Sequence, residues 1–207
     1  MHDLIDKIES LKKSEIKIKI DNRINEFKNI NKASIDSLFK ELCFCILTAN
    51  FNAEKSIKIQ DEIGYCFLTG DKDELSKKLK TYGHRFPNTR AQYISESLIC
   101  KDKIKEVLQS NDKKAIREWI VNNVKGLGYK ESSHFLRNIG FDDYAIIDFH
   151  IVDLLVNYNL INKPKTITKK KYLEIENILK KLAKETNLTL AELDLYLWYM
   201  ETGKILK

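Results

Sequence analysis

The chain has 207 residues, of which 43% are hydrophobic and 32% charged, with a net charge of +6. That length can bury a real core, as one domain or as two small lobes. Only 7 glycines and 2 prolines interrupt it, which argues against a turn-rich β-sandwich and for long helices.

The elements follow a helical period almost throughout. Leu4, Ile5, Ile8 and Leu11 make the first apolar stripe. Ser34 and Asp36 offer helix starts before LFKELCFCILTAN. AEKSIKIQDEIG and DELSKKLKTYG each run to a glycine that can end a helix, Gly64 and Gly83. NTRAQYISESLI and KKAIREWIVNNVKGLG continue the series. KKKYLEIENILKKLAKET and TLAELDLYLWYMETG close it, with Asn187 and Thr189 as linker and cap. Only DDYAIID, Asp142 to Asp148, resists: it is short and apolar between aspartates, and a buried connection suits it better than a strand without a partner. The expected fold is all-α.

The basic excess suits a polyanionic partner, and equally a lysine-rich proteome of which KKK and IKIKI are signs. The four cysteines, Cys43, Cys45, Cys66 and Cys100, form neither a CxxC pair nor a zinc or iron–sulfur pattern. They are expected as buried free thiols in a reducing cytosol. MHDLIDKIESLKK is charged throughout and is not expected to act as a signal peptide, and no run approaches the roughly 18 apolar residues of a membrane span.

One stretch asks for an explanation. In VKGLGYKESSHFLRNIG, Val124 to Gly140, two glycines flank a leucine directly before an amphipathic helix. Gly126 and Gly128 allow positive φ and a backbone surface free of side chains, and Leu127 can anchor the turn in the core. The N–H groups there would lie at a helix N-terminus, where a DNA phosphate fits. A sharp helix–helix corner needing glycine only for its turn is the alternative.

Lys130 falls in the first turn of that helix, where anions are preferred. Partly desolvated, such a lysine moves toward the free amine, which is a nucleophile; solvated, it is an ordinary surface cation. Asp148 in AIIDFHIVDLL separates an apolar run from the next helix. Its plain role is an N-cap. A rigidly held carboxylate could also face Lys130 across a cleft, orient or deprotonate its amine, and stabilise positive charge developing on a sugar.

KGLGYK, Lys125 to Lys130, followed by IDFH, Ile147 to His150, resembles the helix-hairpin-helix DNA glycosylase superfamily, marked by KGhGxK and a later hDxH. ELCFCILTAN, YGHRF, GYKESSHFLRNIGFDDYAIID and ELDLYLWYMETGKILK are similar, in order and over essentially the whole chain, to the small 8-oxoguanine DNA glycosylases of archaea and some bacteria. The absence of cluster cysteines counts against endonuclease III and the adenine-mismatch glycosylases. The resemblance implies that Lys130 attacks C1′, displaces the damaged base, forms a Schiff base and nicks the strand by β-elimination, with Asp148 assisting.

The lesion must leave the stack before C1′ can be reached. The resemblance makes Asn50 the amide that fills the gap and Phe86 the apolar wedge beside the orphaned base. A helix C-cap and a core aromatic are their plain alternatives. It implies that Lys207, the last residue, reads the N7–H that 8-oxoguanine has and guanine lacks, and that Trp198 can stack on the extruded base. A frayed terminus and a core tryptophan are the alternatives. His150 is expected as a structural or phosphate contact. Phe149 departs from the arginine of close relatives, which touches DNA affinity more than chemistry. Carbonyls around Val124 and Leu127 could hold a monovalent cation, as in many hairpins of this type.

The combined expectation is a two-lobed glycosylase. Residues 31–142 form a central lobe ending in the hairpin at 124–140, and residues 1–30 with 143–207 form the other. It needs no cofactor, acts on double-stranded DNA containing 8-oxoguanine in the cytoplasm, and is a monomer without a membrane partner. Oxidised pyrimidines or mismatched adenine on the same scaffold, a non-catalytic DNA-binding module, and a helical interaction protein with an incidental hairpin are the rival readings.

Overall fold

The structure, a computed structural model, describes residues 1–207 except for the side chain of Asn31. Among the described residues it contains α-helices, two short 3-10 helices and no strand. None of its helices is long and apolar enough to cross a membrane. The chain divides into two compact units, residues 1–29 with 136–207, and residues 30–135.

The terminal unit begins with α1 (His2–Lys12) and most of α2 (Glu15–Asn31). The α1 stripe is buried at Leu4 and Ile8, as its spacing predicts. In α2 the buried positions are Ile16, Ile20, Ile24 and Phe27, a stripe at helical spacing, while Ile18 is exposed.

In the central unit, α3 (Ile35–Thr48) starts at the Ser34 cap, whose side chain accepts from the Ser37 N–H at 3.3 Å. It is buried on nearly every side, so Cys43 and Cys45 point to different faces and are still both fully enclosed. Around it lie α4 (Ala53–Ile63), α5 (Lys72–Thr81), α6 (Pro87–Ser97), α7 (Lys101–Val107), α8 (Lys113–Asn123) and the first part of α9 (Tyr129–Asn138). Asn52, Asp71 and Asp112 cap α4, α5 and α8 with side-chain oxygens. Helix α4 ends at Gly64, as the sequence suggests; the glycine stays right-handed, and the chain tightens into a 3-10 turn over Gly64–Leu68. Gly83 does leave the right-handed region, at φ +73°. All four cysteines are free thiols, and Cys100 is only half-buried.

Returning to the terminal unit, residues 142–148 run without regular structure, and Tyr144 to Ile147 are buried. Buried backbone needs partners, and α11 (Lys169–Glu185) supplies them. The Tyr172 hydroxyl donates to the Ala145 carbonyl at 2.6 Å and accepts from the Ile147 N–H at 3.3 Å. Glu176 accepts from the Ala145 N–H at 3.4 Å. The segment then enters α10 (Phe149–Asn157). The last helix, α12 (Leu190–Thr202), starts in a capping box of Thr189 and Glu192 and ends at Gly203 with φ +70°.

Candidate active site

The hairpin between α8 and α9 is built from backbone. Gly126 adopts φ +88°, and a Cβ there would lie 2.4 Å from Cδ2 of Tyr93, so glycine is required twice over. Gly128 corrects the sequence expectation of positive φ: it does not use the left-handed region, and a Cβ would meet only Glu131 Oε2 at 3.5 Å. Leu127 between them is 4% exposed and so is fixed in the core.

The start of α9 differs from the open row of donors expected. Glu131 reaches back and accepts from the Gly128 N–H at 3.4 Å, half of a capping box. The remaining N–H groups of the first turn have no acceptor within the helix. Lys125 pairs with Glu96 at 3.0 Å. From α8, Arg117 bonds Ser133 at 3.1 Å and lies 5.0 Å from the Tyr129 ring, while Glu118 accepts from the Tyr129 hydroxyl. These contacts fix α9 and with it the backbone of Lys130.

The Lys130 ammonium lies 3.9 Å from Glu131 Oε1 and donates no hydrogen bond among the described residues. Its side chain is 26% exposed, so the amine is reachable and only loosely engaged.

Asn50 and Phe86 belong to the same unit. The amide of Asn50 stands on exposed backbone at φ +56°, just past Ala49, which caps α3. This is the helix-end position of its plain reading. Phe86 caps the start of α6 and is half-buried. Two side chains to which the sequence assigned no role join these turns. His84 bonds the Leu47 carbonyl at 3.1 Å and accepts from the Phe86 N–H at 3.0 Å. Arg90 donates to the Ala49 carbonyl at 2.5 Å and faces the rings of Phe86 and Tyr93, each at 5.8 Å. Their partners are mainly carbonyls, which leave no sequence signal.

Asp148, His150, Trp198 and Lys207 belong to the terminal unit. Asp148 caps α10: its Oδ1 accepts from the Ile151 N–H at 3.0 Å, which fixes the carboxylate plane. Its second oxygen has no bond among the described residues. The His150 ring lies 3.9 Å from Phe149 and meets Trp198 edge-on at 5.0 Å. Phe149 is 67% exposed. Trp198 is half-buried, and its buried indole N–H has no partner among the described residues. Lys207 is half-buried. Lys130 and Asp148 thus lie in different units, each held by its own helix start.

A family model described as 8-oxoguanine DNA glycosylase matches residues 20–188. The chain is 57% identical over 206 residues to the 8-oxoguanine DNA glycosylase/AP lyase of Methanocaldococcus jannaschii, covering 99% of both. It is 47% identical over 207 residues to the protein of the same name from Korarchaeum cryptofilum, covering 99% of this chain and 98% of that one. Among solved structures, the Methanocaldococcus jannaschii 8-oxoguanine glycosylase/lyase in complex with 15mer DNA containing 8-oxoguanine matches with a TM-score of 0.96, at 56% identity and 99% of both chains. On these matches, with an all-helical fold carrying the glycine hairpin and a lysine two residues beyond it, the chain belongs to the 8-oxoguanine DNA glycosylase family.

Proposed function

We propose that the protein excises 8-oxoguanine from double-stranded DNA and then cleaves the strand at the abasic site, with Lys130 as nucleophile and Asp148 as its assisting carboxylate. The observation that carries the assignment of Lys130 is its loose engagement: an amine at a hairpin-borne helix start, with no hydrogen bond among the described residues.

The steps follow from amine chemistry. The Lys130 amine attacks C1′ of the extruded nucleotide, and the glycosidic bond breaks with the electron pair leaving on the base. Before the attack Asp148 takes the proton from the Lys130 ammonium and so frees its lone pair; that proton passes to the departing base, and the regenerated carboxylate offsets positive charge on the sugar. The sugar ring opens to a Schiff base. Loss of a C2′ proton then expels the 3′ phosphate oxygen, and water releases the amine with the remaining unsaturated aldehyde on DNA. Asn50 fills the vacated space and Phe86 wedges beside the orphaned base. Gly126 and Gly128 place backbone against phosphate, with His150 as a further DNA contact. Trp198 stacks on the lesion, and an acceptor on Lys207 reads its N7–H. The protein works as a monomer in the cytoplasm.

Borohydride trapping tests the assignment. A covalent protein–DNA band on a duplex with one 8-oxoguanine, absent with plain guanine and lost in Lys130→Gln, is the expected result. Abasic product without a trapped band would replace Lys130 by water as nucleophile.

A further inference from the structure

His84 is 4% exposed and sits between two turns of the central unit. Its two ring nitrogens have different partners. Nδ1 accepts from the Phe86 N–H at 3.0 Å, so Nδ1 carries no proton. Nε2 therefore carries the proton and donates it to the Leu47 carbonyl at 3.1 Å. Only the neutral ring in this one tautomer satisfies both. Burial holds the imidazole below its usual pKa, the Leu47 carbonyl opposes that shift, and the neighbouring Arg90 guanidinium adds to it.

The contacts form a brace. Leu47 and Ala49 supply carbonyls at the end of α3, which have no acceptor role left inside the helix. His84 binds the first and Arg90 the second. The ring of Phe51 lies 4.2 Å from His84. The turn at 47–51 is thereby tied to the segment at 84–90, and Asn50 lies within the first, Phe86 within the second. Asn50 adopts φ +56°, a left-handed conformation that asparagine accepts readily.

We propose that His84 is a positioning residue for base extrusion: its neutral ring ties the turn carrying Asn50 to the turn carrying Phe86, so that amide and wedge enter the duplex as one rigid unit. The inference rests on the reading of Asn50 as gap-filler and Phe86 as wedge. A ring that serves folding alone slows extrusion only as far as it lowers stability. A positioning ring slows it beyond that whichever bond is cut, because the tie needs both the Leu47 bond and the Phe86 bond.

Two substitutions separate the bonds. His84→Asn puts an amide oxygen near the place of Nδ1 and keeps an acceptor for the Phe86 N–H. His84→Gln reaches the place of Nε2 and keeps a donor for Leu47. Extrusion is followed by stopped-flow fluorescence of 2-aminopurine beside the lesion, and thermal melting of each variant is recorded in parallel. The expected result is extrusion slowed about tenfold in each variant, the effect of one lost hydrogen bond, at a temperature where both remain folded. Slowing that only follows the loss of melting temperature overturns the inference, as does unchanged extrusion in either variant.

Phe86→Ala is the companion control. If it slows extrusion while His84→Gln does not, the inference alone falls. If it leaves extrusion unchanged, the wedge reading falls and the inference with it. Should His84→Gln fail to fold, the wild type still decides. Protonation of His84 would place a hydrogen on Nδ1 against the Phe86 N–H, with Arg90 the charged group facing the ring. Extrusion should then decline through one protonation below neutral pH, and this step should vanish in His84→Asn. A flat profile overturns the inference.

Discussion

Gly126→Ala should unfold the hairpin locally while its neighbour Gly128 tolerates the same change. At Gly126 two penalties add. A non-glycine residue at φ +88° carries left-handed strain of about 1–2 kcal/mol. The new Cβ would lie 2.4 Å and 2.9 Å from two carbons of the Tyr93 ring, and overpacking of this kind costs about 1–3 kcal/mol. The sum is roughly 2–5 kcal/mol of stability. At Gly128 φ is ordinary and the nearest atom is 3.5 Å away, so Ala should change stability by no more than about 0.5 kcal/mol. Chemical denaturation of both variants measures this, and anisotropy on an abasic-analogue duplex measures DNA affinity. Gly128→Ala is then the cleaner probe of phosphate approach, because an affinity loss there is not a folding loss. Tyr93→Ala in the Gly126→Ala background should recover the steric part and leave the strain. Equal stability of the two single variants would refute the reasoning, and so would strict additivity in the double variant.

Asp148→Asn should keep the cap of α10, since Asn and Asp cap equally well, whereas Asp148→Ala should lose about 1 kcal/mol. Both should lose excision on the proposed mechanism, so a fully active Asn variant in a borohydride trap would count against the carboxylate. Asp194 pairs with the buried Arg137 at 2.6 Å, and Asp194→Ala should destabilise by about 3–5 kcal/mol by taking the carboxylate from that buried charge; urea unfolding checks it. Tyr172→Phe removes one partner from two buried backbone groups and should cost roughly 2–4 kcal/mol in the same assay.

How legible the chain was depended on where each residue finds its partner. Helix α12 could be read because its capping box, apolar run and terminal glycine all lie in sequence. Helix α2 contains IKIKI, whose alternation taken alone suits a strand as well as a helix. Folding resolves it, since Ile16 and Ile20 are buried and Ile18 between them is 64% exposed. Asp142 to Asp148 was rightly read as a buried connection, but the groups that make burial tolerable come from Tyr172 and Glu176, far along the chain. Lys130 and Asp148 stood out through motif spacing. His84 and Arg90 did not, because they bind carbonyls that every residue possesses.

The hairpin also bears on why this lysine, among 36 lysines and arginines, is suited to the proposed attack. Several other lysines lie against carboxylates at short range, as Lys12 does with Glu9 at 2.7 Å and Lys17 with Asp21 at 2.5 Å. Lys130 also has a carboxylate next to it in sequence, yet the separation is 3.9 Å. Adjacent residues of a helix do not face each other, unlike the i,i+3 and i,i+4 pairs, and Gly128 adds to this. Its N–H draws Glu131 Oε2 back toward the helix start, and Oε1 is left outside hydrogen-bond range of the amine. A firmly paired ammonium keeps its proton and is no nucleophile. The Gly128 N–H thus engages the acid beside the lysine, so on the proposed mechanism the backbone offered to phosphate and the amine offered to C1′ are set by one short piece of chain.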